Sequence, residues 1–311
     1  MLPPTALLYK NLLKSVILAP KLRDIPVFSG WKDVIFKQGD TEHHKPIPKI
    51  IWIFWDDKDK PALVQATIEQ AKRMNPDHTV NVLDNTNISD FFPDDFLKNS
   101  NVQPQYKSDL VRLELLERYG GIWMDATCIL NESLQWIQDA NTQHSADLIG
   151  FYRNRDTVDH QFPVLENWFL AAPSNTDFIK EWKKEIQKIV SIGPESYYTE
   201  LQSRPDYKEI AQNIQRPDYL VTYLAAQIVM RKTPPNLYLR RAEDGPLLYQ
   251  EAIKWDRERI AAILCRIKAP SPIPPIIKLT HSNRYLLPLM IRLKLVRPDS
   301  ILGRFLAVLK R

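Results

Sequence analysis

Four side chains between positions 109 and 127 are of types that could bind a charged ligand. Asp109 and Arg112 are three residues apart on one face of a predicted helix, where they are neighbours. Asp125 follows the apolar run IWM, and Thr127 on an extended chain faces the same side. A guanidinium suits phosphate or carboxylate, and carboxylate oxygens suit a hard cation. The structural alternatives are a surface ion pair for Asp109 and Arg112, and a turn cap for Asp125.

The segment around these residues predicts a helix, a tight turn and a strand. Residues 108–119, SDLVRLELLERY, have the apolar spacing of a helix, with Ser108 as a predicted N-cap. Gly120 or Gly121 is expected to adopt the left-handed conformation that closes the last helical turn. Because ligands of open α/β sheets collect outside the carboxyl ends of the strands, Asp125 is expected at a ligand site.

Upstream and downstream segments predict the rest of an α/β sheet. Residues 47–56 and 79–84 are strand-like, and residues 61–76 between them are helix-like, with Pro61 at the helix start. This strand, helix, strand order favours a parallel sheet. Further strands are expected in 146–151, 167–173 and 276–281, and a helix in 176–190.

Composition indicates a folded, enzyme-sized protein. The chain has 311 residues, of which 44% are hydrophobic and 25% charged, enough for one large domain or two small ones. Cys128 and Cys265 have no paired spacing, which favours a reducing compartment and a core position for Cys128. The apolar N-terminal segment is interrupted by Lys10 and Lys14 and lacks a cleavage site, so neither a membrane span nor a signal peptide is expected.

Positive charge is concentrated at the two ends of the chain. Residues 284–311 contain seven Lys and Arg residues against Asp299 alone, whereas the body, residues 46–283, is net acidic. A basic groove for nucleic acid is therefore disfavoured. The sequence predicts a helical amphipathic extension in 1–45 and a basic amphipathic tail in 284–311. The tail either lies in a membrane interface or packs on the body with its charges in water.

Two segments carry a resemblance to a known family: IPKIIWIFW at 47–55 and YKSDLVRLELLERYGGIWMDAT at 106–127. Together they resemble the sugar-nucleotide half of glycosyltransferase family 32 and its capsular polysaccharide synthesis relatives, over roughly residues 46–175. The shared features are a strand ending in Trp, a helix with S-D-x-x-R, and a double glycine followed by an aspartate. The resemblance implies a GT-A, Rossmann-like nucleotide-sugar-binding fold in 46–283.

The resemblance also implies a chemistry. Members transfer a sugar from a nucleotide diphosphate donor with retention of configuration, and their D-x-D carboxylates hold a divalent metal on the diphosphate. Here the motif reads Asp125-Ala126-Thr127, without its second carboxylate. Asp125 is the expected ligand for Mn²⁺ or Mg²⁺, with Thr127 touching a metal-bound water. A late histidine returns to the metal in many such enzymes, which makes His281 a third candidate, the alternative being a plain loop histidine.

Donor contacts follow from the same resemblance. Asp109 is expected on the sugar hydroxyls, Arg112 on the sugar or the diphosphate, and Asn167 near the sugar pocket. Trp55 is expected either to stack on the base, with UDP as the nucleotide, or to be a core residue. Asp125 and Arg112 are the predicted catalytic residues.

The resulting interpretation is a metal-dependent hexosyl- or N-acetylhexosaminyltransferase of capsule or lipopolysaccharide synthesis. Its acceptor would be a saccharide or lipid-linked saccharide, and it would sit peripherally on the inner face of a bacterial cytoplasmic membrane. The nucleophile stays open, with Glu166 and Asp218 as acids to inspect, and Asp218 with Tyr219 either lining the acceptor side or starting a helix. The alternative is a degenerate, non-catalytic protein that binds membranes or partner enzymes.

Overall fold

A computed structural model describes residues 4–22, 24–36, 45–92 and 103–310. Thirteen α-helices lie in these ranges, with short 3₁₀ turns between some of them. The helices are α1 Pro4–Leu18, α2 Ala62–Met74, α3 Pro104–Tyr119, α4 Gln135–His144, α5 Asp177–Ile192, α6 Pro194–Gln202, α7 Tyr207–Ala211, α8 Val221–Lys232, α9 Leu248–Ala252, α10 Arg257–Arg266, α11 His281–Arg284, α12 Leu287–Arg292 and α13 Ile301–Leu306.

Nine strands in the same described ranges form two sheets. They are β1 Asp33–Phe36, β2 Ile50–Phe54, β3 Thr79–Leu83, β4 Gly121–Met124, β5 Cys128–Leu130, β6 Leu148–Tyr152, β7 Leu165–Ala172, β8 Leu237–Arg241 and β9 Ile276–Lys278. The large sheet has the order β1-β8-β6-β7-β4-β2-β3, and β5 pairs with β9 in a small second sheet.

Five of the seven strands in the large sheet run in the same direction. β2 is parallel to both β3 and β4, and β6 is parallel to β8, whereas β7 and β1 run antiparallel to their neighbours. The predicted α/β class with a central, mostly parallel sheet is therefore confirmed. The carboxyl ends of β2 and β4 lie side by side in this order, which brings the residues after both strands to one edge of the sheet.

The paired glycines after α3 are both required by the backbone. Gly120 has φ +64° and Gly121 has φ +99°, so the expected positive φ is present, although the ψ of −160° places Gly120 outside the left-handed helical region. A Cβ atom on Gly121 would lie 2.6 Å from the carbonyl oxygen of Ile50, and one on Gly120 would lie 2.7 Å from the backbone nitrogen of Ser174. The glycines thus let β4 enter the sheet directly after the helix, and Trp52 fixes the turn because its Nε1 donates to the Gly120 carbonyl at 2.8 Å.

Several element boundaries differ from the sequence prediction. α3 begins four residues before Ser108, which is therefore a mid-helix residue and not an N-cap; the chain enters through Gln103 and the N1 residue Pro104. The last strand ends at Lys278, because Thr280 accepts a hydrogen bond from the backbone nitrogen of Asn283 and starts α11. His281 is consequently the first residue of a short helix.

The two predicted extensions are integrated into the body. β1, which falls in the predicted extension 1–45, pairs with β8 of the central sheet. Helices α12 and α13 of the tail contribute buried apolar side chains to a core shared with α1 and α10. These side chains are Leu287, Leu289, Met290, Ile301, Leu302 and Phe305. For these residues, the structure shows the tail packed on the body.

Alanine substitution at Gly121 is expected to destabilise the protein because of both its backbone conformation and the lack of space. Gly193 is a matched control, since it has φ +86° but nothing within 4 Å of an added Cβ. We expect Gly193→Ala to cost about 1 kcal/mol and Gly121→Ala roughly 3 kcal/mol or more in the free energy of unfolding. Urea denaturation of both variants measures the difference, and equal costs would show that β4 does not need the close approach to β2.

Truncation of Phe305 is expected to destabilise the protein as a core substitution does. Its side chain is 4% exposed in the shared core, whereas that of the preceding Arg304 is exposed. Phe305→Ala should cost about 3–5 kcal/mol, and Arg304→Ala less than about 0.5 kcal/mol. Thermal or urea unfolding checks this, and an unchanged midpoint for Phe305→Ala would contradict a packed tail.

Candidate active site

Asp125 lies directly after β4 and its carboxylate is held by three donors. Oδ1 accepts hydrogen bonds from Trp123 Nε1 at 3.0 Å and from Arg112 Nη2 at 3.2 Å. Oδ2 accepts one from Lys278 Nζ at 2.5 Å. Burial alone would raise the pKa of Asp125, but the charges of Lys278 and Arg112 outweigh it and hold the pKa below the usual value. The side chain is therefore an ionised carboxylate between two cations.

Asp109 and Arg112 are brought to the same place by α3. Arg112 Nη1 donates to Asp109 Oδ1, and Asn167 Nδ2 from β7 donates to the same oxygen at 2.9 Å. Asp109, Arg112, Asp125 and Asn167 thus form one hydrogen-bonded network, in which Asp109 and Arg112 are buried and Asp125 and Asn167 are partly exposed. Burial raises the pKa of Asp109 despite these contacts. The Arg112 guanidinium also stacks 4.8 Å from the ring centroid of Trp123.

Lys278 reaches Asp125 because of the small second sheet. β9 pairs with β5 so that Lys278 lies opposite Cys128, three residues after Asp125. Its ammonium lies 3.2 Å from the hydroxyl oxygen of Thr127, and that hydroxyl donates to the carbonyl of Leu279 at 2.9 Å. The chain from Asp125 to Thr127 is a turn and not the expected extended segment, and both side chains contact Lys278. The Thr127 hydroxyl forms its hydrogen bonds within the protein.

Asp125 stands at the boundary of two cavities. The first has a volume of about 410 Å³, and the network residues Asp109, Arg112 and Asn167 are among those that line it. The second has a volume of about 640 Å³ and opens toward the end of β2. Both volumes are in the range of sites for small molecules. One ligand with two chemically different halves could therefore place its junction at Asp125.

The second cavity is lined by Trp55 and Arg284, among others. Trp55 is half-buried after β2, and the guanidinium of Arg284 lies 5.7 Å from its ring centroid. The predicted stacking residue thus has an open cavity in front of it. His281 is exposed and lines the same cavity, as do Asp125 and Thr127.

The two acids selected for inspection differ in their surroundings. Glu166 lines the first cavity, where Oε2 accepts from Tyr223 OH at 2.6 Å and from Trp168 Nε1 at 2.8 Å, and Oε1 accepts from Arg153 at 3.3 Å. Burial raises the pKa of Tyr223 well above the usual value, and contact with the Glu166 carboxylate raises it further. Asp218 is instead an exposed partner of Arg216. It does not cap α8, which starts at Val221.

The donor atoms around Asp125 do not fit the divalent cation that the family resemblance implies. Both carboxylate oxygens already accept hydrogen bonds from cations, and the Thr127 hydroxyl donates to a carbonyl. A cation bound about 2 Å from Asp125 Oδ2 would lie close to the Lys278 ammonium, and the two positive charges would repel each other. Within the described ranges, no group of three or more His, Cys, Asp or Glu side chains is arranged to hold a metal.

Sequence reasoning missed Lys278 and Arg284. The signal for Lys278 was present in the segment IIKLTH, because a lysine inside an otherwise apolar strand is seldom buried without a partner. Arg284 had no comparable signal, since it reads as the first charge of a basic tail. Its position over Trp55 depends on α11, which turns the chain back toward the sheet edge.

Comparison with known proteins identifies relatives over the region that contains most of this site. Residues 30–207 match the family described as capsular polysaccharide synthesis protein. The O-glycosyltransferase braB of Annulohypoxylon truncatum is 34% identical over 169 residues, which cover 48% of this chain and 39% of that protein. The glycosyltransferase afumC of Aspergillus fumigatus is 27% identical over 247 residues, which cover 69% and 62%.

These curated relatives are fungal, and the chain spans only 39–62% of their lengths. A solved structure, PaToxG Glycosyltransferase, aligns over 96% of this chain and 95% of its own, with 15% identity. Its TM-score of 0.35 is too low to support an argument. The family match alone covers more than half of the sequence, including Asp109, Arg112, Asp125 and Asn167. The chain therefore belongs to the capsular polysaccharide synthesis protein family.

Proposed function

We propose that this protein is a glycosyltransferase that moves a sugar from a nucleotide diphosphate donor to a hydroxyl acceptor. The observation that carries the proposal is the shared position of Asp125 between two cavities of different character. The cavity in front of Trp55 suits a base and a diphosphate, with Arg284 at its wall. The cavity with Asp109, Arg112 and Asn167 suits the sugar. Glycosyltransferase activity in the relatives supports this assignment.

The chemistry assigned to each residue follows from its contacts. Arg112 is fixed by two carboxylates and a stacking ring, so its guanidinium is oriented before a ligand arrives. Asp109 and Asn167 present oxygen and amide groups to sugar hydroxyls in the first cavity. Glu166 accepts from two neutral donors and an arginine, an arrangement that suits positioning of Tyr223 and Trp168 along the sugar cavity.

We extend the proposal to a UDP-sugar donor, a retained configuration and a saccharide or lipid-linked acceptor, such as one used in capsule or lipopolysaccharide synthesis. An apolar cavity supports the lipid-linked case. It has a volume of about 330 Å³, lies between α2 and α12, and shares Trp55 and Arg284 with the second cavity. A lipid tail in the apolar cavity would thus lie beside the donor site.

The surface that we propose for membrane contact is α1, and not the apolar face of the tail, which is buried. Tyr9, Leu13 and Ile17 follow one another at helical spacing and are 49%, 60% and 53% exposed. Exposed lysines at 10, 14 and 21 flank them. Exposed apolar residues with adjacent basic groups fit an anionic lipid surface. In the part of the chain that the structure describes, no helix is long and apolar enough to cross a bilayer.

The donor assignment predicts selective stabilisation and turnover. Millimolar UDP-glucose, UDP-galactose, UDP-N-acetylglucosamine and GDP-mannose should be tested separately for a rise in the melting temperature and for release of the nucleotide diphosphate. At least one donor should do both, since a ligand bound only by the native state raises its stability. Stabilisation without turnover in the presence of candidate acceptors would favour the non-catalytic alternative, and no stabilisation by any donor would contradict the proposal.

Asp125→Asn is expected to reduce turnover of the stabilising donor by on the order of 10²–10³-fold, because the charge that orients Lys278 and Arg112 is lost. Asp77→Asn is the matched control, since Asp77 is an exposed acid that pairs with Lys49 at the start of β3. Its turnover should stay within about twofold. Circular dichroism should show both variants folded, and normal turnover in Asp125→Asn would refute the assigned role.

The membrane surface is tested by sedimentation with vesicles of phosphatidylcholine and phosphatidylglycerol. The double variant Leu13→Gln, Ile17→Gln should lose most of the bound fraction, and salt should release the native protein, because both apolar burial and charge contribute. Val158→Gln is the control, since Val158 is 63% exposed elsewhere on the surface. Equal sedimentation of all three proteins would contradict a membrane role for α1.

A further inference from the structure

The ammonium group of Lys278 lies between Asp125 and Thr127. Lys278 Nζ lies 2.5 Å from Asp125 Oδ2 and 3.2 Å from Thr127 Oγ1. These are the two residues that the family motif would use to hold a metal. The side chain of Lys278 is 9% exposed and that of Asp125 is 26% exposed, so this ion pair is partly buried. The lysine thus occupies the place where a divalent cation would bind.

The position is imposed by the backbone on both sides of the lysine. The Lys278 backbone nitrogen donates to the Pro246 carbonyl at 3.0 Å, and its carbonyl accepts from Gln250 Nε2 at 2.6 Å. The next residue, Leu279, donates its backbone nitrogen to the Thr127 carbonyl at 3.0 Å. These bonds fix the backbone of Lys278, and the contacts with Asp125 Oδ2 and Thr127 Oγ1 place its ammonium.

Three cationic side chains lie around Asp125, in cavities whose lining also includes the acids Asp56 and Glu166. These cations are Lys278, Arg112 and Arg284, and Asp109 and Asp125 are the acids of the network. Burial lowers the pKa of Arg284 and the charge of Asp125 opposes this effect. A site with three cationic side chains can stabilise the charge of a diphosphate without a metal.

We propose that Lys278 replaces the divalent cation, so that transfer needs no metal. This rests on the proposed glycosyltransferase function. The bond from the anomeric carbon to the β-phosphate oxygen breaks, and its electron pair stays on that oxygen. The acceptor hydroxyl oxygen bonds to the anomeric carbon, and the hydroxyl proton passes to the departing phosphate. Lys278, with Arg284, stabilises the negative charge that develops on the diphosphate.

The substitution of Thr for the second motif carboxylate is explained by the same arrangement. A second carboxylate at position 127 would lie beside the Lys278 ammonium and the Leu279 carbonyl. It would place a buried negative charge against a carbonyl dipole, whereas the Thr127 hydroxyl donates to that carbonyl and accepts from the lysine. The Thr127 hydroxyl and the Lys278 ammonium therefore fit together in this chain.

The first test measures Mn²⁺ binding directly, by electron paramagnetic resonance of the protein after treatment with EDTA. The native protein should bind no Mn²⁺ at micromolar concentrations with or without UDP. Lys278→Ala should gain binding, because it frees Asp125 Oδ2 and space beside it. Lys60→Ala is the control, because it also removes a lysine from a partly buried ion pair, here with Asp84 at 2.8 Å. This variant should gain no Mn²⁺ binding. Tight Mn²⁺ binding by the native protein would overturn the proposal.

The second test uses turnover of the donor that stabilises the protein. EDTA and added Mn²⁺ should each change the native rate less than about twofold, whereas Lys278→Ala should lose on the order of 10²–10³-fold and recover part of it with Mn²⁺. Lys278→Arg should retain more activity than Lys278→Ala. Loss of native turnover in EDTA with recovery in Mn²⁺ would overturn the metal-free step and leave the glycosyltransferase assignment intact. If no donor turns over, the proposed function and the metal-free transfer step both fail, whereas the Mn²⁺ binding measurement still shows whether Lys278 keeps a metal away from Asp125.

Discussion

The candidate site depends on one partly buried carboxylate that is held by cations from different parts of the chain. Asp125 follows β4, Arg112 comes from α3, and Lys278 comes from β9. Burial of any one of these charges without a partner would cost free energy, and the contacts between them offset that cost. The helix, the central sheet and the small sheet are therefore joined at the point where the two cavities meet. Removal of one partner would leave another charge buried without compensation.

Two local constraints place that carboxylate. The paired glycines allow β4 to start directly after α3, at φ values that other residues rarely adopt. The crossover through α2 sets β3 on one side of β2, and β4 after α3 pairs in parallel on the other side, so that Trp55 and Asp125 lie at the same sheet edge. The position of the second cavity is thus a consequence of strand order, and side chains at the strand ends line it.

Much of the sheet could be predicted from the sequence, because periodicity and glycine placement are local signals. The strands around Trp52 and Trp123 and the turn at Gly120 were found in this way, and the S-D-x-x-R spacing identified Asp109 and Arg112. Contacts across long separations could not be found. Lys278 is 153 positions from Asp125, and only the pairing of β9 with β5 brings them together. The sequence of the tail is amphipathic whether the tail packs on lipid or on protein. Its burial could therefore be found only from the structure.

The central claim is that Lys278, and not a metal, faces the diphosphate. A crystal structure of the protein grown with UDP and Mn²⁺, with anomalous data at the manganese edge, tests this most directly. The account predicts Lys278 Nζ within hydrogen-bonding distance of a phosphate oxygen and no anomalous peak beside Asp125. A manganese peak bound to Asp125, with the Lys278 side chain turned away, would contradict it.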